Sequence, residues 1–384
     1  MIYKGQRMRR FIVFPGDPLY KYFEKGEIKL RYWNPQNMFS EVHIISLCSS
    51  DINPDKVHDF VGDAKLFIHT IGRPNLANFL SVRKRALDLC TDIKPDLIKG
   101  HGALIMGYYA SYVANKLSVP SVVSLHSDHS IWRGLRAAGP STLPRSIYQL
   151  AYRLSYMEHY CLRKATAVTC AYEFPARHAR WAGCRNIEII YNRVDTNRFK
   201  PAGEKNNHTI RVLTVGNHIP GKEPSAILKG VSRVGCKLTV VGQGPLSESL
   251  RLQSLKLGIT NKVTFLPSVP NSELHKIYQE HDVFCMSIRY PGVCIPVLEA
   301  MSCGLPVIVN QPLWEDIPEF IGVHAIVVEN TGTGYATAID KLWKKTDLRE
   351  RIGTANREKA MQIDSNLMEQ KEATLFKKLI DRSD

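Results

Sequence analysis

No run of eighteen apolar residues occurs in this 384-residue chain, so no stretch reads as a helix spanning a bilayer. The opening, MIYKGQRMRRFIVF, places basic residues before an apolar run of only four. That is far short of a signal peptide's core and reads better as a first buried strand. The nine cysteines, at 48, 90, 161, 170, 184, 236, 285, 294 and 303, include no Cys-x-x-Cys pair. Zinc and disulfide frameworks both need tighter spacing. Cys48 and Cys285 sit inside apolar strand-like runs, where a thiol behaves as a small hydrophobe. The chain therefore reads as reduced and cytoplasmic. Asp-x-Asp is also missing; it is a common device for holding a divalent ion on a diphosphate. Short-period repeats and low-complexity tracts are absent as well.

What is present is a large folding core, with 44% hydrophobic and 23% charged residues, and a length that suggests two domains. The net charge of +15 is unevenly spread. Residues 1–200 hold 29 Lys and Arg against 16 Asp and Glu, whereas residues 201–384 hold 22 against 20. The basicity belongs to the first half. It suits nucleic acid, an anionic membrane face or an acidic substrate, or simply a solvated basic surface. The basic residues are dispersed and form no nucleic-acid module, so no nucleic-acid partner is expected.

Short β-branched runs alternate with helical stretches, the pattern of parallel sheets covered on both faces. Strands are predicted at Phe11–Phe14, Val42–Leu47, Leu66–His69, Leu97–Lys99, Ser121–Leu125, Ala167–Thr169 and Ile187–Ile190. A second series falls at Arg211–Val215, Lys237–Val241, Val263–Leu266, Val283–Met286, Pro306–Val309 and Ala325–Val328. Helices are predicted at Leu76–Cys90, Ile105–Leu117 and Ser146–Lys164, among others. The polar stretch Pro201–His208 separates the two series as a linker. The expected fold class is α/β, with two Rossmann-like doubly wound domains over 1–200 and 201–366 and a final helix from 367.

In open parallel sheets, ligands bind beyond the carboxyl ends of the strands. After Arg211–Val215 comes Gly216-Asn217-His218-Ile219-Pro220-Gly221-Lys222. Its glycines admit close approach of backbone, and Lys222 can place a cation over phosphate. After Lys237–Val241 comes Gly242-Gln243-Gly244-Pro245, a pair that equally fits a plain tight turn. The third glycine of a dinucleotide fingerprint is missing, and no acid ends the next strand, which argues against a dehydrogenase. After Val283–Met286, Gly292, Val293, Cys294 and Ile295 precede Pro296, a helix-start residue, so their amides suit an anion. Glu299 follows one turn later. As a pure acceptor it fits vicinal ribose hydroxyls, or serves simply as a first-turn acid. His126 directly follows the predicted strand Ser121–Leu125, within His126-Ser127-Asp128-His129. It is either a hydrogen-bonding group at the sheet's working edge or a histidine satisfied locally.

From about Ser121 onward the chain resembles the retaining, GT-B-fold enzymes of glycosyltransferase family 4. VTFLPSVPNSELHKIYQEHDVF followed by VLEAMSCGLPVIV is similar to the family's donor-site signature, and IIYNRVDTNRFKP resembles the close of its first domain. LTVGNHIPGKEP resembles its phosphate-gripping loop, and VVGQGP the next loop. The resemblance implies two facing domains with a cleft between them and a nucleotide diphosphate sugar as donor. A saccharide or lipid-linked acceptor is implied too, with no cofactor and no metal. It assigns Lys222 to the diphosphate, Glu299 to the ribose and His126 to the transferred sugar, and has the last helix, about Leu367–Ile380, cross back onto the first domain. The sequence departs from the family at five points: Asn217 and Pro291 stand where an arginine and a glutamate are usual, Arg193 replaces a glycine, Val293-Cys294 replaces Phe-Gly, and Pro15-Gly16-Asp17 follows the first strand where a glycine-rich loop is frequent. The alternative is a nucleotide-sugar-binding subunit without transfer activity. Tyr148, Tyr152, Tyr156, Arg145, Arg153, Arg163 and Lys164 share one helical stretch. They suit either an interfacial helix on a membrane's cytoplasmic face or an ordinary core-packed one.

Overall fold

The computed structural model describes residues 8–126, 145–203, 209–222, 224–289, 292–312 and 316–382, and of 145–154 the backbone only. The chain divides into two compact units, Met1–Tyr191 with Met368–Asp384, and Asn192–Leu367.

The first unit is built on β1 (Arg10–Phe14), β2 (Glu41–Ser46), β3 (Lys65–Thr70), β4 (Leu97–His101), β5 (Ser121–Leu125), β6 (Ala167–Cys170) and β7 (Ile187–Ile189). All pair in parallel, in the order β3-β2-β1-β4-β5-β6-β7. Helices α1 (Leu19–Glu24), α2 (Phe79–Ile93), α3 (Ile105–Leu117), α4 (Arg145–Lys164) and α5 (Glu173–Trp181) complete it. Successive side chains of a strand point to opposite faces. Ile12 and Phe14 accordingly join a core with Val82, Ala86, Tyr109 and Val113, on α2 and α3. Phe11 and Val13 join the other core, with Trp33, Phe39 and Phe60. Both faces are buried, which is why β1 is apolar from Phe11 to Phe14.

The second unit has β8 (Arg211–Val215), β9 (Lys237–Val241), β10 (Val263–Leu266), β11 (Val283–Met286), β12 (Val307–Asn310) and β13 (Ala325–Val328). These are again all parallel, ordered β10-β9-β8-β11-β12-β13. Its helices are α6 (Ser225–Val231), α7 (Ser247–Lys256), α8 (Asn271–Gln279), α9 (Ile295–Ser302), α10 (Gly332–Lys344) and α11 (Thr346–Met361). Strand order reverses between β8 and β11, so the loops leaving those two strands diverge. Such a switch point is where open α/β sheets bind ligands.

The last helix, α12 (Ser365–Ile380), supplies Leu375, Phe376, Leu379 and Ile380 to the first unit's core. Lys99 of β4 donates to Glu372 Oε1 at 2.5 Å, both side chains buried. Arg31 donates to Glu369 one turn earlier, at 3.3 Å. The expected domain edge at residue 200 needs correction. Residues 192–200 belong to the second unit because distant groups hold their backbone there. Asp364 accepts from Thr196 N at 3.2 Å and Thr196 Oγ1 at 2.7 Å. Arg357 donates to the carbonyls of Thr196 and Phe199 at 2.9 and 3.0 Å.

Candidate active site

In the second unit, β8 runs into Gly216, whose N–H donates to the Val241 carbonyl at 3.0 Å. β9 is followed directly by Gly242, with φ of +134°. A Cβ at Gly242 would lie 2.1 Å from the Gly216 carbonyl oxygen, so the strand ends approach too closely for any side chain there. That packing by itself demands glycine at 242.

His218 reaches from this loop to Ser247 at the start of α7, with Nδ1 2.8 Å from the hydroxyl. The same hydroxyl oxygen accepts from Gly244 N at 3.0 Å. A hydroxyl oxygen can accept twice, so His218 Nδ1 either takes the serine proton or donates its own to Oγ, according to the tautomer. Burial, helped by the Arg251 charge, pushes the His218 pKa down, so the ring is neutral. Its Nε2 is buried and has no hydrogen-bond partner among the described residues. His218 and Lys222 both line a small recess with Gly216, Val241 and Met286.

Lys222 follows Gly221 and is exposed. Its charge acts on the Cys294 thiol, lowering a pKa that burial raises more strongly. Cys294 is the N-cap of α9, extended at φ −75° and ψ 148°, with no side-chain cap, and Pro296 stands in the first turn. First-turn amides lie beyond the reach of the helix's own carbonyls, and the aligned peptide dipoles leave about half a positive charge there. Across the switch point, Arg289 N–H donates to the carbonyl of Gly221, the residue before Lys222, at 3.0 Å, so the loop bearing Lys222 meets the one that leads to α9. Gly292 and Val293 lead directly into Cys294 and Ile295, while Asn217 is exposed on the β8 loop.

Glu299, in the second turn of α9, is only 4% exposed. Tyr278 donates its hydroxyl to Oε2 at 2.9 Å, and Asn271 Nδ2 lies 3.3 Å from Oε1. Burial first, and then the Glu299 charge, hold the Tyr278 pKa well above its ordinary value, so the phenol remains a donor. Sequence reasoning gives neither Asn271 nor Tyr278 a role, although both stand in the donor-site signature. They face Glu299 only because α8 packs beside α9.

In the first unit, His126 leaves β5 and is exposed. It stacks on His101, which ends β4, with ring centroids 5.2 Å apart at 8°. His101 is buried, and Trp33 Nε1 lies 3.4 Å from its Nε2. Because indole can only donate, that nitrogen is the acceptor. Burial, reinforced by the charges of Lys99 and His126, holds His101 well below the ordinary histidine range. Sequence reasoning missed His101; the one available signal was its place at a strand end neighbouring that of His126. Ser127, Asp128, His129 and Pro291 lie outside the described residues, as do the side chains of Arg145, Tyr148, Tyr152 and Arg153.

Two parallel sheets, each ordered with a switch point and the second with Lys222 and a helix N-terminus on the loops that leave it, define a doubly wound α/β protein. The family described as Glycosyl transferases group 1 matches residues 195–359, and Glycosyltransferase Family 4 matches residues 38–198. The chain belongs to the glycosyltransferases of this group 1, family 4 type, with the GT-B fold. It is 25% identical over 310 residues to the sulfoquinovosyl transferase SQD2 of Arabidopsis thaliana, spanning 74% of this chain and 57% of that one. A GDP-mannose-dependent phosphatidylinositol monomannoside mannosyltransferase of Mycolicibacterium smegmatis is 26% identical over 199 residues, 46% of this chain and 52% of that one. The matched parts are little more than half of these relatives' lengths. Among solved structures, HepE of Anabaena in complex with UDP has a TM-score of 0.72 at 17% identity, covering 97% of this chain and 100% of that one. A glycosyltransferase of Rickettsia africae has the same TM-score and identity, at 98% and 99% coverage.

Proposed function

We propose that the chain transfers a glycosyl group from a nucleoside diphosphate sugar to a saccharide or lipid-linked acceptor, retaining anomeric configuration and using no metal ion or other cofactor. The observation that carries this reading is geometric: Lys222 lines the recess at the end of β8, and its loop is joined through the Gly221 carbonyl to Arg289, in the loop that leads to the uncapped N-terminus of α9. The departing diphosphate rests there, its charge met by the amides from Gly292 to Ile295 and by Lys222. Fixed donors aimed at developing charge are usually the largest single catalytic contribution. Gly216, Asn217 and Gly242 line the approach of the phosphates. Glu299, oriented by Tyr278 and Asn271, accepts from the ribose hydroxyls. His126 donates a hydrogen bond to the transferred sugar, while neutral His101 fixes its ring by stacking.

HepE has been crystallised with UDP-glucose, and the mycobacterial relative is GDP-mannose-dependent, so both a pyrimidine and a purine donor have support. A thermal-shift panel of UDP-, GDP-, ADP- and CMP-sugars, with and without EDTA, tests the reading. One nucleotide should stabilise the protein equally in both conditions, and stabilisation abolished by EDTA would overturn the metal-free part. Charge-assisted hydrogen bonds contribute about 1.5–3 kcal/mol each. Lys222→Ala should therefore lose about tenfold to a hundredfold in turnover while unfolding normally, and an unchanged rate would remove Lys222 from the site.

We further propose a cytoplasmic, peripheral association of the first unit with an anionic membrane. Trp181 is 70% exposed and Tyr156 65% exposed, with exposed Arg163 and Lys164 on the same pair of helices, α4 and α5. Aromatic rings with flanking cations suit the headgroup region. Sedimentation with phosphatidylserine vesicles should fall as salt rises, and Trp181→Ser should weaken it. No sedimentation at low salt would refute it.

A further inference from the structure

A sugar diphosphate carries two negative charges, and the diphosphate gains another as the sugar departs. In the β8 loop, Lys222 is the one cation, since the residue beside Gly216 is the uncharged Asn217. Across the switch point a second cation is built into the structure. β11 ends at Met286, whose carbonyl accepts the Tyr335 hydroxyl at 2.9 Å. Ile288 is clamped from both sides by one side chain: its N–H donates to Asn310 Oδ1 and its carbonyl accepts from Asn310 Nδ2, each at 2.7 Å. Next in the chain, Arg289 donates its own N–H to the Gly221 carbonyl at 3.0 Å, joining the β11 loop to the residue before Lys222.

The stem of Arg289 lies along Gly221. A Cβ on that glycine would stand 3.2 Å from Arg289 Cβ and 3.4 Å from its Cδ, and the φ of +86° at Gly221 disfavours a side chain in any case. The arginine is exposed, in the loop that leads from β11 to the N-terminus of α9. The backbone leading to it is fixed by these hydrogen bonds, so little order has to be gained on binding.

Resting on the function proposed above, we infer that Arg289 is the second cation of the diphosphate site. Its guanidinium donates in parallel to phosphate oxygens opposite Lys222. A planar fork matches two phosphate oxygens in a way a point charge does not. Arg289 thus supplies from β11 the charge that Asn217 does not supply from β8.

The test is calorimetric binding of inorganic pyrophosphate and of UDP, GDP and ADP to the full chain. Arg289→Ala should weaken pyrophosphate and the preferred nucleotide by about tenfold to a hundredfold. Arg289→Lys should recover only part, because the fork is lost. Arg233→Ala, which removes an exposed cation elsewhere in the same unit, should change neither. Normal pyrophosphate affinity in Arg289→Ala, with Lys222→Ala impaired, overturns this inference and leaves the proposed function standing. If the unaltered protein binds neither pyrophosphate nor any of the nucleotides, the inference and the reading beneath it both fail. Unfolding curves of each variant separate lost contact from lost fold.

Discussion

Glu299 is a carboxylate placed where solvent cannot help it, and Tyr278 is the group that makes that tolerable. Removing one partner of a buried charge leaves its full desolvation cost exposed, about 1–3 kcal/mol or more. Tyr278→Phe should therefore lower stability by that amount in urea titrations, with an unchanged slope. It should also weaken nucleotide more than pyrophosphate, since only the nucleoside carries ribose. Equal weakening of both would place Glu299 away from the ribose. Residue by residue, the placement of groups just past a strand end, such as Gly216, Gly242 and His126, is readable in the sequence. The sequence does not reveal groups that matter through packing. Arg289 reaches Gly221 only because β11 lies beside β8, and His101 acquires its character from Trp33, far earlier in the chain. No local pattern encodes either meeting.

At the level of elements, all thirteen described strands are readable from short β-branched, apolar runs set between helical stretches. Inner strands such as β5 and β11 are buried along their whole length, while the edge strands β3 and β13 are only partly so. Helix ends are less readable. The helix expected at Leu76–Cys90 runs instead from Phe79 to Ile93. Leu76 suggests a core position but is 80% exposed, lying before Asn78, while Ile93 continues the buried row of Val82, Ala86 and Cys90. The next helix, α3, stops at Ser118 in the left-handed conformation, φ +56° and ψ +36°. That conformation costs a side-chain-bearing residue about 1–2 kcal/mol, and glycine much less. Ser118→Gly should therefore raise stability, by about 0.5–1 kcal/mol after glycine's extra unfolded-state freedom is counted. The pair Lys99–Glu372 predicts the opposite. Removing one member of a buried pair costs about 3–5 kcal/mol, whereas apolar replacement of both is often close to neutral. Glu372→Leu alone should be severely destabilising, and Lys99→Met with Glu372→Leu should recover most of the loss in denaturant titrations. No recovery would mean that other partners of Glu372 hold α12 in place.

For the whole molecule, the consistent electrostatic signature is histidines held neutral. Burial, with the neighbouring His69 charge, lowers the His43 pKa to about 4, and burial lowers His69, His101 and His218 as well. The unfolded chain takes up these protons near pH 6.5, while the folded chain does so only at lower pH. Where the unfolded state binds more protons, stability rises with pH. The stability contributed by these rings is thus complete above about pH 6.5 and is lost as pH falls through the lowered folded values, towards about 4 for His43. Unfolding midpoints measured at pH 7, 6 and 5 should decline steadily, before most carboxylates titrate. A flat profile would show that the rings are hydrated in solution. The division into two units is legible from the two strand series, but its position is not. The polar run at 201–208 has a linker's composition, while Arg357 and Asp364, distant in sequence, tie residues 192–200 to the second unit.

The helix that closes the first unit lies far along the chain from the sheet it covers. During synthesis, the sheet of residues 10–189 emerges with the seat for Phe376 and Leu379 still open, and about 190 further residues must be added before that seat is filled. At translation rates of about 5–20 residues per second, this leaves an oily groove exposed for roughly ten to forty seconds.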